Sequence, residues 1–218
     1  MTVNAPYHLF WADNATRQET CRKFIQHEYQ REFDAVIPHF LPYLLGMTQA
    51  DGTLVAACGI KPATEGKLYL ESYLDAPIED VAHQQKGIEL YRSGLVEIGN
   101  FATINGSSNA RIMFAALCLI LNQSHFRHIA FTGTRKLRNI FSRLSLSPIE
   151  LMEARPEQLD DATCWGSYYT QHPQVMMGDL IHGHEVLSKN SLLLSLFDSI
   201  PSFPFNTQEL KHDAFCRN

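Results

Sequence analysis

The chain has 218 residues, 45% of them apolar and 19% charged, with a net charge of −5. This make-up excludes a disordered, collagenous or coiled-coil chain, and the acidic balance argues against a general nucleic-acid or anionic-membrane binder. The length suits one full-sized domain with an extension.

The first 18 residues contain no basic segment followed by an apolar run, so no secretory leader is predicted and a cytoplasmic address is expected. Asn14 to Phe33 opens on a capping Asn and spaces Cys21, Phe24, Ile25 and Phe33 at helical intervals, which predicts an amphipathic helix. Asp51-Gly52 between apolar runs at Tyr43–Met47 and Thr53–Ile60 predicts a hairpin. Lys67–Leu74 alternates and Gly94–Ile104 is rich in β-formers, so both read as strands. The small polar run Asn105–Asn109 then favours a turn and helix cap, and Ala110–Asn122 reads as a strongly apolar helix. Its longest apolar stretch, Ile112–Leu121, reaches about 15 Å as a helix, half the roughly 30 Å of a bilayer core, so it is a buried helix. A strand at His128–Gly133 and a basic helix at Arg135–Leu144 complete a βαβα unit, the mark of a parallel strand pair in an α/β or α+β sheet. Residues 1–180 form the expected domain, and 181–218, with a short helix and the IPSFPF segment, the expected C-terminal extension.

Charge is unevenly distributed. Between Glu97 and Glu150 there is no acidic residue, whereas Arg111, Arg127, Arg135, Lys136, Arg138 and Arg143 all lie there, so a +6 block sits in a −11 remainder. Such a block is either a solvated helix face or a local field for an anionic group. The loop and helix start at Gly106, Ser107, Ser108, Asn109, Ala110 and Arg111 offer free N–H groups, a helix dipole and a cation, which suits a phosphate, although an ordinary capped helix start reads the same way. Neither a GxxxxGK[ST] loop nor a GxGxxG fingerprint is present. Glu71 and Glu97, on strand-like segments, are candidate general bases if burial raises their pKa, or else solvent-facing strand residues. Five scattered cysteines without CxxC spacing read as reduced thiols, and His182 and His184 lack completing ligands, so no metal is expected. Trp165, Tyr168 and Tyr169 either line an acyl or aromatic pocket or pack the core.

The blocks FLPYLL (Phe40–Leu45), LYLESYLDAPIE (Leu68–Glu79), GLVEIGNFA (Gly94–Ala102), AFTGTRKLRNIFSRLSLSP (Ala130–Pro148) and WGSYYTQHPQVMMGD (Trp165–Asp179) resemble, in the same order, the thermostable hemolysin family. That family looks related to the Gcn5-type N-acyltransferases of the acyl-homoserine-lactone synthase branch. The resemblance implies an α+β fold with an α/β-like core: a mixed, partly parallel sheet flanked by helices. It also implies a thioester donor between the splayed strands at Val96–Ala102 and His128–Gly133. Its phosphates would lie at Asn105–Arg111, where INGSSNA replaces the usual [QR]xxGx[GA] loop. Under that reading Glu97, Glu71 and Asn100 are the catalytic candidates, the N–H groups of Phe101, Ala102 and Thr103 hold the oxyanion, and Arg111 and Arg138 help to hold the donor. The implied donor is acyl-CoA or the phosphopantetheine of an acyl carrier protein, the acceptor a small molecule, with no nucleic-acid partner. The alternative implied by the family name is a cytolytic, membrane-active protein, for which Leu192–Phe197, Phe203 and Phe205 are the candidate inserting element.

Overall fold

The computed structural model describes residues 5–104, 106–189 and 195–204. Strand β1 (Tyr7–Trp11) leads to α1 (Ala15–Phe33), whose start is fixed by Asn14 accepting the Arg17 N–H. Helix α1 stops where Asp34 turns left-handed (φ 55°) and returns its N–H to Tyr29 and Gln30. The hairpin of β2 (Tyr43–Gln49) and β3 (Leu54–Pro62) closes at Asp51-Gly52, with Gly52 at φ 86° and the Thr53 N–H on the Asp51 carboxylate. Helix α2 (Ile78–Lys86) precedes β4 (Leu95–Thr103), α3 (Ser107–Gln123), β5 (His128–Gly133) and α4 (Arg135–Arg143). Strands β6 (Ile149–Glu153) and β7 (Gln174–Asp179) and helix α5 (Leu180–Ser188) follow.

The strands form one seven-stranded sheet in the order β1-β2-β3-β4-β5-β7-β6, in which β4–β5 is the parallel pair and every other pairing is antiparallel. The expected mixed, partly parallel sheet flanked by helices is therefore the fold. Side-chain alternation sorts the two faces. Val96 and Ile98 of β4 and Ile129 and Phe131 of β5 pack with α3 and α5. On the opposite face, Ala57 and Ala102 pack under α1 and the turns carrying Trp165 and Tyr168.

One predicted element is corrected. Lys67–Leu74 is not a strand; Tyr69–Tyr73 is a 3-10 turn. Its N–H groups are claimed by buried carboxylates rather than by a neighbouring strand: Leu68 donates to Glu71 at 2.8 Å, and Tyr69 and Leu70 donate to Glu97 at 2.7 and 2.9 Å. The Glu71 bond to Leu68 is local, three residues apart, but alternating apolar residues cannot reveal Glu97, which reaches the turn from 28 residues beyond Tyr69.

Segment 195–204 packs on the same core. Phe197 and Phe203 are 8% and 7% exposed, Phe203 lies 4.9 Å from Trp11, and the Trp11 indole donates to the Ser202 carbonyl. Leu196 packs partly buried against the same core, and Leu192, Leu193, Leu194 and Phe205, the remaining apolar residues of the candidate inserting element, lie outside the described residues. Among the described residues no helix is long and apolar enough to cross a membrane.

Candidate active site

The site arises from two irregularities in β4. The register with β3 pairs Gly59 with Gly99 but Ala57 with Ala102, so β4 carries a bulge, and Asn100 within it sits at φ 49°. Pairing with β5 runs from Leu95↔His128 to Ile98↔Phe131 and then ends, because β5 finishes at Gly133 bonded to β7 while β4 continues along β3. A gap opens between Gly99–Thr103 and Thr132–Gly133.

The bulge also receives a crossing chain. The Asn100 side chain accepts the Leu41 N–H at 2.9 Å and donates to the His39 carbonyl at 3.0 Å. Leu41 presses onto the sheet so closely that a Cβ on Gly59 would lie 2.8 Å from its Cβ, and one on Gly99 would lie 2.9 Å from its Cδ1. Asn100 is thus an anchor for residues 39–41. Gly166, at φ 51°, allows the Trp165 turn to meet the end of α1, since a Cβ there would sit 2.2 Å from the Phe33 carbonyl oxygen.

Two cavities open on either side of the gap. The first, about 640 Å³ including its mouth, lies between α1 and α4 and is walled by Phe101, Ala102, Thr103, Gly106, Ala110 and Leu137. The second, about 530 Å³ including its mouth, lies over Glu97, Gly99 and Asn100 and is walled by Tyr69, Tyr73 and Trp165. Tyr29, Thr132 and Tyr168 line both. These shared residues make the junction, and the Phe101 backbone N–H is directed at the Tyr29 hydroxyl there. Burial holds the Tyr29 and Tyr168 hydroxyls well above the ordinary tyrosine pKa, so both are protonated donors.

Five of the sequence-predicted donor-binding residues, Phe101, Ala102, Thr103, Gly106 and Ala110, come together on the first cavity. Of the others, none whose side chain is described lines it. Asn109 is buried and donates to the Ile104 carbonyl at 2.9 Å, tying down the loop, and Ser108 is exposed in the first turn of α3. Asn105 and the Ser107 side chain lie outside the described residues. Helix α3 starts from Gly106 at φ 65°, and Arg111 is half-buried in its first turn. Arg138 pairs with Glu150 at 2.8 Å and Lys136 with Glu32 at 2.8 Å, so the cationic stretch meets carboxylates from outside it in sequence. Among the described residues no three His, Cys, Asp or Glu side chains gather as a metal ion would require.

The two candidate bases differ sharply. Glu97 is 3% exposed and lines the second cavity. Burial raises its pKa to about 7, against the opposing pull of the Leu70 and Tyr69 N–H groups and of Lys61. Glu71 does not line either cavity. Burial pushes its pKa up as well, but the Arg92 guanidinium at 2.7 Å and the Leu68 and Ile78 N–H groups outweigh it and hold the carboxyl below the usual range. Glu71 fixes the Tyr69–Tyr73 turn and the start of α2. Sequence reasoning missed Tyr29 and Thr132: Tyr29 continues the helical spacing of Ile25 and Phe33, which reads as plain core.

The sequence matches the thermostable hemolysin family over residues 12–184. The chain belongs to that family. No curated protein matches the chain. Among solved structures it is similar to the CoA-dependent acyl-homoserine lactone synthase BjaI, solved with SAM and isopentyl-CoA, with TM-score 0.60 and 13% identity over 98% of this chain and 100% of that one. It is also similar to FeeM, an N-acyl amino acid synthase from uncultured soil microbes, with TM-score 0.57 and 12% identity over 85% and 96% of the chains. The acyl-homoserine-lactone synthase LasI matches with TM-score 0.56 and 10% identity over 84% and 94%. Likeness at such identity is likeness of fold, and this member of the thermostable hemolysin family has the acyltransferase-like architecture.

Proposed function

We propose that the chain transfers an acyl group from a thioester donor to an amine acceptor, the donor entering the first cavity and the acceptor the second. The donor is carried on a phosphopantetheine arm, either of coenzyme A or of an acyl carrier protein, with the thioester at the junction. The observation that carries this reading is the meeting of two cavities where the parallel pair splays, with a buried carboxyl of near-neutral pKa on the second side.

The chemistry follows from the residues. An ammonium entering beside Glu97 gives a proton to its carboxylate, and the freed nitrogen attacks the thioester carbonyl. The Phe101 N–H, in place of its present contact with Tyr29, stabilises the oxyanion. As the tetrahedral species collapses, the C–N bond is kept and the C–S bond breaks. The second amine proton ends on the departing sulfur, relayed by the Tyr29 or Tyr168 hydroxyl, which gives its own proton to the thiolate and takes the one from nitrogen. An amide, a free thiol and a protonated Glu97 result, and Glu97 then returns its proton to water.

The test is a thermal-shift and mass-spectrometric screen against acyl-CoAs and acylated carrier protein with mixed amines. A donor at about 100 times its Kd should stabilise the fold by about 2.7 kcal/mol, a shift of about 5–10 °C, and an amide product should appear. No stabilisation, no co-purifying thioester and no product would overturn the proposal. Rapid leakage of liposomes by the purified protein without any donor would favour the cytolytic alternative instead.

A further inference from the structure

The second cavity has a distinctive charge pattern. Tyr69, Tyr73, Trp165 and Tyr168 present rings around Glu97, with the Trp165 ring centre 6.0 Å from that of Tyr69 and 5.6 Å from that of Tyr168. Behind this wall the Asp161 carboxylate accepts the Tyr69 hydroxyl at 3.2 Å and the Trp165 indole N–H at 3.3 Å. A second negative group therefore backs two of the rings, and donation to it enriches them in electron density. Among the described residues no Lys or Arg lines the cavity; its one basic group is His39 at the rim, 3.8 Å from Asp161. The lining amide of Asn100 is already spent on the His39 and Leu41 backbone.

These groups treat opposite charges differently. An ammonium finds aromatic faces and carboxylates, which together replace its hydration. A carboxylate brought into the same space loses water and gains no counter-charge, while facing Glu97. We propose that the acceptor is a primary amine with a flat apolar body and no free carboxylate, either an aryl-alkyl amine or an amino acid masked as an ester or amide. The proposal rests on the acyl-transfer reading and narrows its acceptor.

Tyramine, tyrosine methyl ester and tyrosine differ chiefly in that carboxylate, and each is titrated calorimetrically into the full chain and then assayed with the acyl-CoA that stabilises it best. Tyramine and the ester should exceed tyrosine by about 30-fold or more in affinity and in kcat/KM, equivalent to ~2 kcal/mol. Asp161→Asn should weaken tyramine about 5-fold and leave tyrosine unchanged, with Tyr69→Phe as the companion variant should Asp161→Asn not fold. Tyrosine binding or reacting as well as tyramine would overturn the acceptor assignment while leaving acyl transfer intact, and so would failure of all three to bind a chain that does bind donor. A chain that neither binds nor consumes any donor would overturn the acyl-transfer reading itself, and this assignment with it.

Discussion

Glu71 and Glu97 lie in adjoining parts of one core, 5% and 3% exposed, and each accepts two backbone N–H groups at 2.7–3.1 Å. Both even grip the same turn, since Leu68 bonds to one and Tyr69 and Leu70 to the other. They differ in the company of a guanidinium. Arg92 bridges Glu71 and Glu79 at 2.7 and 3.0 Å, whereas Glu97 has two backbone donors, the field of Lys61 without an ion pair, and a cavity. Two N–H groups do not offset the burial of a carboxylate; a guanidinium at hydrogen-bond distance, added to them, does. One glutamate is thereby kept ionised as structure, and the other is left near neutrality, where it can exchange a proton.

The largest effect expected from this contrast is catalytic. Glu97→Gln should lower kcat by about 10²–10⁴-fold in a single-turnover assay while donor affinity is retained, because the amide oxygen keeps one of the two backbone bonds but the side chain cannot take a proton. An unchanged kcat would remove Glu97 from the chemistry. Next in size, Arg92→Leu strands the Glu71 charge and should cost about 3–5 kcal/mol, read as a drop of about 6–20 °C in Tm near pH 7. Adding Glu71→Gln to Arg92→Leu should recover part of the loss, and no recovery would mean that Arg92 acts by packing alone.

The pH dependence sharpens the same comparison. The Glu97 pKa rises on folding from 4.5 to about 7, so its contribution is complete below pH 4.5 and fades as pH climbs through 7, a loss of about 3 kcal/mol. Glu71, held below its ordinary value, contributes above that value and loses its contribution as acid protonates it. Denaturant unfolding of wild type and Glu97→Gln from pH 5 to 8 should show a falling slope in the first and a flatter one in the second. In turnover, kcat/KM should rise with pH through an apparent pKa near 7. The smallest effect belongs to a pair open to water. Glu150→Gln frees Arg138, yet with Glu150 48% exposed the change in stability should stay under about 1 kcal/mol.

Much of the frame was legible because short-range physics writes it. The Asn14 cap, the Asp51-Gly52 hairpin and β5 at His128–Gly133 lie where turn chemistry and apolar pattern put them, since each depends on residues within a few positions. The blocks around VEIGN and WGSYY carried the family and, through it, the splayed pair. The Tyr69–Tyr73 turn was misread as a strand, because its alternation is ordinary and its bonding partner Glu97 lies 28 residues from Tyr69 in sequence. The cationic block was visible, but its pairing with Glu32 across 104 residues was not.

The sequence by itself determined the order of elements, the parallel β4–β5 crossover and the family, all properties of local pattern. Tertiary structure decided which glutamate is a candidate base, since a pKa depends on burial and on a guanidinium 21 residues away, neither of which has a local signature. It also decided that Tyr29, written as core, stands with Thr132 and Tyr168 where two cavities meet.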